Sequence, residues 1–393
     1  MNSNETQPLS SIANEHRKSI NPKTLGSDEY LMHYSLPSWN SGEPEIVMPN
    51  EILSNKIELP ETECILVSRI NPSDHKTWKV PAKEGLIRVA STEWVVLTPK
   101  AASKIDFIFA CVTDISFQYQ LDSLSNGTSS SHQRVNRTDF MNIQIPKFDS
   151  KIENKIGVFM GAIYSLRAEK IQGASLLQET AEVLFNQWMN GHLPASVGKN
   201  EDIQWQSTSL LDLGQFVNGA ASQKYPPNLN SETENLPVVK IREMASGLDD
   251  KTNWAHNSAP EKYHIVDGDI LFSWAATLLV QHWHGQDALL NQHIFKVIPE
   301  SVPEWFVFLT LRREIRIFRF LAQDGETTMG HITRKQLSEH LVRVPPKDIM
   351  EKMTPLIEPY YLQGKSNMAQ SNSLLELQRT VLPKLISANI SFV

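Results

Sequence analysis

The sequence predicts an α+β protein made of two pseudo-symmetric, β-rich globular heads separated by two long antiparallel coiled-coil helices. An internal repeat, an abrupt change of pattern after each head and a sustained heptad spacing carry that prediction. The repeat comes first, because it decides how every other element is counted. "SLLQETAEVLFNQW" (175–188) and "SLLELQRTVLPKLI" (373–386) share five of fourteen positions without a gap, at an offset of 198. "HQRVNRTDFMNIQIP" (132–146) aligns with "HITRKQLSEHLVRVP" (331–345) at 199, and both read as an alternating apolar strand closed by proline. "STEWVVLTP" (91–99) meets "NQHIFKVIP" (291–299) at 200, and "ILVS" (65–68) meets "ILFS" (270–273) at 205. Four segments in one order at a nearly constant offset make the chain two copies of a unit of roughly 200 residues.

Within each copy, short alternating runs such as "ECILVSRI", "WVVLTP", "GDILFSW" and "IFKVIP" are separated by Pro, Gly, Asn and Ser, the pattern of strands and turns. "DFIFACVTDISFQYQLDSL" and "PEWFVFLTLRREIRIFRFLA" interrupt the strands as embedded amphipathic helices. After "IPKFDS" and "VPPKDI" the composition turns helical for 30 residues or more, with Pro355 and Pro359 near the start of the second run. The predicted segments are a first head (1–148), a central helix (149–195), a second head (196–346) and a C-terminal helix (347–393).

The helical runs carry heptads. Ile156, Ile163, Leu177 and Leu184 fall on a seven-residue grid interrupted by Lys170, and Met353, Tyr360, Leu374 and Val381 on another interrupted by Asn367. A polar residue at one core position fixes register in coiled coils. A helix of about 30 to 36 residues extends roughly 45 to 54 Å, so it needs a partner along its length, and its counterpart in the other repeat is the natural one. Pro383 stands where Phe185 stands in the first copy, so the second helix is expected to bend or end there.

Composition sets the class. Hydrophobic content of 40% and charged content of 21% are those of a soluble globular chain. No apolar run approaches a membrane span, the N-terminus lacks a secretory h-region, and the two cysteines are too few for a disulfide framework, which together point to the cytoplasm. A net charge of −7 and a pI near 6.0 argue against a chain coated in nucleic acid. Locally the balance reverses: between Arg312 and Arg343 stand seven basic residues and four acidic ones, enough for a basic face or for a solvated helix surface.

Two similar heads on paired helices form a ruler, and duplex DNA with two spaced half-sites is the simplest target for one. At this point the residues resemble a family. "GDILFSWAATLLVQHWHGQDALLNQHIFKVIP" (268–299), "GHITRKQLSEHLVRVPP" (330–346) and "LLELQRTVLPKLIS" (374–387) closely resemble the specificity (S) subunit of type I restriction–modification enzymes. "HYSLPSWNSG" (33–42), "SNKIELPETECILVSRINP" (54–72) and "SSSHQRV" (129–135) carry the resemblance in the first half. It implies a non-catalytic DNA-recognition subunit with two target-recognition domains, each reading half of a bipartite site in double-stranded DNA. It further implies helices that set the spacer and dock two methyltransferase (M) subunits, with restriction/translocase (R) subunits in the full complex. No cofactor is expected in this chain; S-adenosylmethionine and ATP belong to the partners.

Candidate DNA contacts in the first head are Arg69, Asn71, Ser91, Thr92, Ser131, His132 and Arg134. In the second they are Lys240, Arg242, Ser273, Trp274, Asn291, Gln292, His293, His331, Thr333 and Arg334. Amides such as Asn291 and Gln292 can pair bidentately with adenine or merely close a turn before "IFKVIP", and His132 and His331 can contact phosphate or cap an element. In "GDILFSW", the following "AAT" departs from the glycine-containing turn usual in the family. The grids above mark the helix seam. Signals for chemistry fail: "HWH" (282–284) lacks a third metal ligand, no Walker A loop is present, "YPPN" and "NPSD" do not form the methyltransferase "NPPY", and no glycine-rich cofactor loop follows a strand. The competing expectation is a pseudo-dimeric protein-interaction scaffold with β-rich heads on a coiled-coil rod, which would show no phosphate-driven salt dependence.

Overall fold

Two proline-stopped runs, 94–99 and 294–299, are strands, because β-branched and aromatic residues fill positions buried against neighbours on both sides. The computed structural model describes residues 5–387 except 27–28, 84, 102–103, 126–132, 199–202, 250, 276 and 324–331. It divides into two units, Met1–Ser165 with Leu375–Val393, and Leu166–Leu374.

The first unit begins with β1 (Thr6–Pro8), β2 (Ala13–His16), β3 (Ser19–Ile20), β4 (Leu31–Tyr34), β5 (Glu45–Val47) and β6 (Lys56–Glu58). It continues with β7 (Cys64–Ser68), β8 (Thr77–Val80), β9 (Ile87–Ala90), β10 (Trp94–Pro99), α1 (Ile105–Thr113), α2 (Ile115–Ser123), α3 (Arg137–Met141) and β11 (Gln144–Pro146). Its sheets are β1-β11, β2-β10-β7-β8 and β3-β6-β9-β4-β5. After α4 (Ser150–Met189), the second unit holds β12 (Gln206–Ser209), β13 (Gly214–Asn218), β14 (Asn235–Val239), α5 (Ile241–Ser246), β15 (Trp254–His256), β16 (His264–Ile265) and β17 (Ile270–Ser273). Then come β18 (Leu279–His282), β19 (Ala288–Leu290), β20 (Ile294–Pro299), α6 (Glu304–Gln323), α7 (Arg334–Glu339), β21 (Leu341–Val344) and α8 (Lys347–Ile386).

The second unit's sheets, β12-β21, β13-β20-β17-β18 and β15-β14-β19-β16, repeat the first unit's connectivity except that the first unit adds β3 beside β6. In each third sheet the central pair is parallel, β4 with β9 and β14 with β19, and the strands outside it are antiparallel. The repeat in sequence is therefore a repeat of topology.

Both long helices run 40 residues, about 60 Å at 1.5 Å per residue. Within the second unit they touch through small residues. A Cβ on Gly364 would lie 3.6 Å from Leu177 Cβ, and one on Gly173 would lie 3.0 Å from Asn367 Nδ2. Numbers rise along α4 as they fall along α8, so this pair is antiparallel. Ala181, Phe185, Trp188 and Met189 of α4 share a core with Met350, Met353, Ile357 and Tyr361 of α8 and with Trp305, Phe306 and Phe318 of α6. The Phe185 ring centroid sits 5.4 Å from that of Phe306 and 6.3 Å from that of Trp305.

Several expectations change. The best-buried heptad grid lies three residues N-terminal to the expected one in both helices: Glu153, Met160, Ala174, Ala181 and Trp188 in α4, and Met350, Ile357, Gly364, Ser371 and Leu385 in α8. Ile156, Ile163 and Met353 are also buried, since residues three apart share a helix face, whereas Leu177, Leu184, Leu374 and Val381 are half-buried. Tyr360 is 39% exposed and its neighbour Tyr361 is the buried tyrosine. α8 continues one turn past Pro383, to Ile386, and also accommodates Pro355 and Pro359. The embedded helix is continuous as α6, but in the first unit it breaks at Asp114, whose carboxylate accepts from Ser116 N at 2.9 Å and so caps a new helix. The runs ending in "NIQIP" and "LVRVP" are not strands throughout: each is a short helix, α3 or α7, before a three- or four-residue strand.

Candidate nucleic-acid interface

The end of β7 in the first unit is tied to two other segments by backbone hydrogen bonds. Arg69 N donates to Glu93 O at 3.1 Å, and Val135 N to Arg69 O at 2.9 Å. These bonds bring together three stretches that the sequence separates by some 65 residues, and most of the first head's candidates with them. Arg134 grips Glu93 side-on, Nε to Oε2 at 3.1 Å and Nη2 to Oε1 at 2.9 Å. Arg69 Nη2 reaches the same carboxylate at 3.5 Å. Arg137 pairs with Glu15 and donates to Thr92 O at 2.7 Å, while Ser91 Oγ accepts from Glu93 N at 3.3 Å.

Burial pushes the Arg69 guanidinium down from its ordinary range; Glu93 opposes this, and Arg137 and Arg134 add to it. Asn71 follows in the left-handed region at φ 46°, where Asn is tolerated better than most residues. Its N donates to Gln133 O, and its Oδ1 is buried without a hydrogen-bond partner among the described residues. Ser131 and His132 lie outside the described residues. Three arginines around two carboxylates leave a local positive excess at this loop cluster, suited to an anionic or base-edge acceptor.

The second unit repeats the frame and changes the chemistry. Trp274 N donates to His293 O at 3.3 Å, and Ile332 N to Trp274 O at 3.0 Å, the same two bonds at the end of β17 that hold Arg69 at the end of β7. Trp274 thus occupies the place of Arg69, and His293 that of Glu93. The Trp274 and His293 rings lie 5.6 Å apart edge to face, Gln292 Nε2 is 3.3 Å from His293 Nε2, and Asn218 Oδ1 accepts from Trp274 Nε1 at 3.1 Å. Arg334, exposed at the start of α7, donates to Phe216 O at 3.4 Å, and Thr333 caps α7 in a reciprocal box with Gln336.

Other candidates stand elsewhere or are engaged within the fold. Ser273 is fully buried; its hydroxyl donates to Thr277 O at 2.5 Å and accepts from Leu279 N at 2.8 Å, closing the β17–β18 turn. Asn291 is buried at the close approach of Gly219, where a Cβ would lie 2.2 Å from Asn291 O. Lys240 caps the start of α5 and Arg242 lies within it, both engaged inside the fold: Lys240 bonds Asn253, and Arg242 forms a two-pronged pair with Asp249 at 2.6 and 2.9 Å. That pairing raises the Arg242 pKa and holds the Asp249 carboxyl below its ordinary range. His331 lies outside the described residues.

Glu93, Glu15, Arg137 and Asn218 were missed. The Asn-Gly pair at 218–219 is a sequence signal that points to Asn218; nothing local in the sequence marks the two glutamates.

The "HWH" histidines are structural. His282 stacks on Phe308 at 4.2 Å and bonds the Tyr361 hydroxyl at 2.7 Å, and that hydroxyl donates to Glu304 Oε1 at 2.6 Å. Burial holds the His282 imidazole well below its ordinary range, and Lys365 and His284 push the same way. Among the described residues no group of three or more His, Cys, Asp or Glu is placed to hold a metal ion, and no helix is long and apolar enough to cross a membrane.

Residues 202–376 match the type I restriction modification DNA specificity domain family. The type I restriction enzyme MjaIX specificity subunit of Methanocaldococcus jannaschii is 19% identical over 317 residues, 74% of this chain and 70% of that one. In structure the chain is similar to the type I restriction-modification system S subunit from M. genitalium, with a TM-score of 0.58 at 10% identity, covering 99% of this chain and 96% of that one. The match over residues 202–376 agrees with the resemblance carried by the residues themselves.

Proposed function

We propose that this chain is the specificity subunit of a cytoplasmic type I restriction–modification complex, in which each unit's loop cluster reads one half of a bipartite DNA site. One observation carries the reading: the same pair of backbone hydrogen bonds presents Arg69 and Glu93 in one unit and Trp274 and His293 in the other. A shared frame with different side chains is what two unlike half-sites require, since sequence is read by the groups that reach base edges.

In this reading α4 and α8 form an antiparallel coiled-coil spacer that fixes the distance between half-sites and docks two methyltransferase subunits. The chain itself takes no part in bond-making. S-adenosylmethionine, and ATP in a complex that also contains restriction subunits, belong to those partners.

The test is to map N6-methyladenine in DNA from cells expressing this chain with its methyltransferase subunit. Two half-sites at a fixed spacing are expected, and exchanging residues 196–346 for those of a relative should change one half only. A swap that altered both halves would overturn modular reading. Inserting a whole heptad into the helices should lengthen the spacer and leave both halves unchanged.

A further inference from the structure

α6 presents Arg312, Arg313, Arg316 and Arg319 within eight residues, opposite Glu182 and Asn186 of α4 and Asn190 just past its end. Together they line a groove of about 460 Å³ whose walls all belong to the second unit. Small-molecule sites of that size are mostly apolar, and this one is lined chiefly by guanidinium and amide groups.

The positive charge is only partly cancelled. Arg312 Nε pairs with Glu182 at 2.9 Å; Arg313 Nε pairs with Glu314 at 3.5 Å and its Nη2 donates to Asn190 Oδ1 at 2.9 Å, while its Nη1 is buried without a partner. Arg319 is exposed, and its guanidinium donates to a backbone carbonyl, Leu278 O, at 3.1 Å. Arg316 is exposed and has no hydrogen bond or ion pair among the described residues.

The fold does not require these arginines. In the first copy the helices that follow β10, α1 and α2, contain no lysine or arginine. Arg316 and Arg319 have no carboxylate partner among the described residues and stand beside two further guanidiniums, an arrangement whose repulsion opposes folding. It therefore points to an anionic ligand.

Position selects which anion. Leu278, the acceptor of Arg319, lies on the turn that begins at Ser273 and Trp274, and Trp274 is bonded to His293 and Ile332. The arginine row thus leads directly into the second unit's candidate reading cluster. We propose that this groove seats the phosphate backbone of the duplex beside the second half-site, a sequence-independent grip that the first unit lacks. The proposal rests on the DNA-reading function proposed above. Planar guanidinium forks suit phosphate oxygens bidentately, and the Asn190 amide adds a neutral polar group to the wall.

The experiment uses the full chain assembled with its methyltransferase subunits and measures affinity for a duplex carrying the methylated site and for a random duplex across a salt series. Arg316→Gln with Arg319→Gln is expected to lower the log–log salt slope by about two for both duplexes, and to weaken binding roughly tenfold per lost contact at 0.1 M salt. The methylated sequence should not change. Lys224→Gln with Lys262→Gln is the charge-matched control, because Lys224 and Lys262 are next to Tyr225 and Tyr263 on a separate core cluster, and it should leave the slope alone. An unchanged slope in the arginine variant overturns the groove, and an unchanged slope with weakened subunit assembly assigns it instead to an acidic protein surface. If the unsubstituted complex shows no preference for the methylated duplex over the random one, the DNA-reading function itself fails and the groove proposal with it.

Discussion

Arg134→Ala separates reading from stability, because Arg134 is half exposed and its partner is a single carboxylate. Its side chain is 50% exposed and binds Glu93 through two hydrogen bonds at 2.9 and 3.1 Å. An exposed ion pair contributes at most about 1 kcal/mol to stability, so the variant should unfold in urea within that margin of the parent. A guanidinium that reads a base edge carries roughly 1–3 kcal/mol of discrimination, or about fivefold to 150-fold. Methylation rates on oligonucleotides altered singly in each half-site, with the methyltransferase subunit present, should therefore lose discrimination in the half read by the first unit and keep it in the other. Equal loss in both halves, or no loss in either from a folded variant, would refute the assignment of this cluster. Glu93→Gln completes the test. It releases Arg69 and Arg134 from their shared carboxylate, so binding to random duplex should strengthen and its salt slope should steepen by about one.

Phe185→Ala should cost about 3–5 kcal/mol in urea unfolding, because a fully buried ring wedged against Phe306 and Trp305 leaves a cavity; a loss under 1 kcal/mol would contradict that packing. Gly219→Ala drives a Cβ to 2.2 Å from Asn291 O beside the Asn218 that holds Trp274, so discrimination should fall in the second half-site only, read by the same oligonucleotide panel. The lowered pKa of His282 gives a pH dependence with a definite sign. The unfolded chain takes up the proton first, so the stability is complete above about pH 6.5 and is lost as pH falls below it, at no more than about 1.4 kcal/mol per pH unit for this histidine. Glu304 lies 3.8 Å from Nε2 but does not reverse the sign, since the Tyr361 hydroxyl stands between them, and Lys365 and His284 add positive charge. His282→Gln should flatten urea stability against pH between 6.5 and 5, and an unchanged slope would count against a buried neutral imidazole.

Repeats and strands were legible because proline stops and alternating apolar residues act locally; "ILVS" and "ILFS" became β7 and β17, equivalent inner strands of equivalent sheets. The seam was displaced by three residues because the tightest contacts use Ala174, Ala181, Gly364 and Ser371, whose small side chains carry little apolar signal while letting backbones approach. α7 was hidden behind an alternating pattern, although Thr333 and Gln336 already spelled a capping box. The first unit's cluster was half legible: Arg69 and Arg134 stood out as cations beside turns, but Glu93, which joins them, is an ordinary loop carboxylate until the β7–β10 pairing brings it within reach.

That division follows from how such a frame must work. The backbone bonds of Arg69 and Trp274 are made by groups every residue possesses, so they constrain no side chain and leave the two positions free to differ. What the fold does constrain lies just behind them: Val135 and Ile332, both essentially without exposed surface, and Ser68 and Ser273, whose hydroxyls are used inside their own turns. Variation is therefore confined to the side chains that the frame presents outward, and a change of target can occur without repacking the core. The arginines of α6 extend the same logic, since α1 and α2, which stand in its place in the first copy, carry no lysine or arginine at all. Under the proposed function, two copies of one fold would thus grip one duplex with different strength as well as read it with different groups.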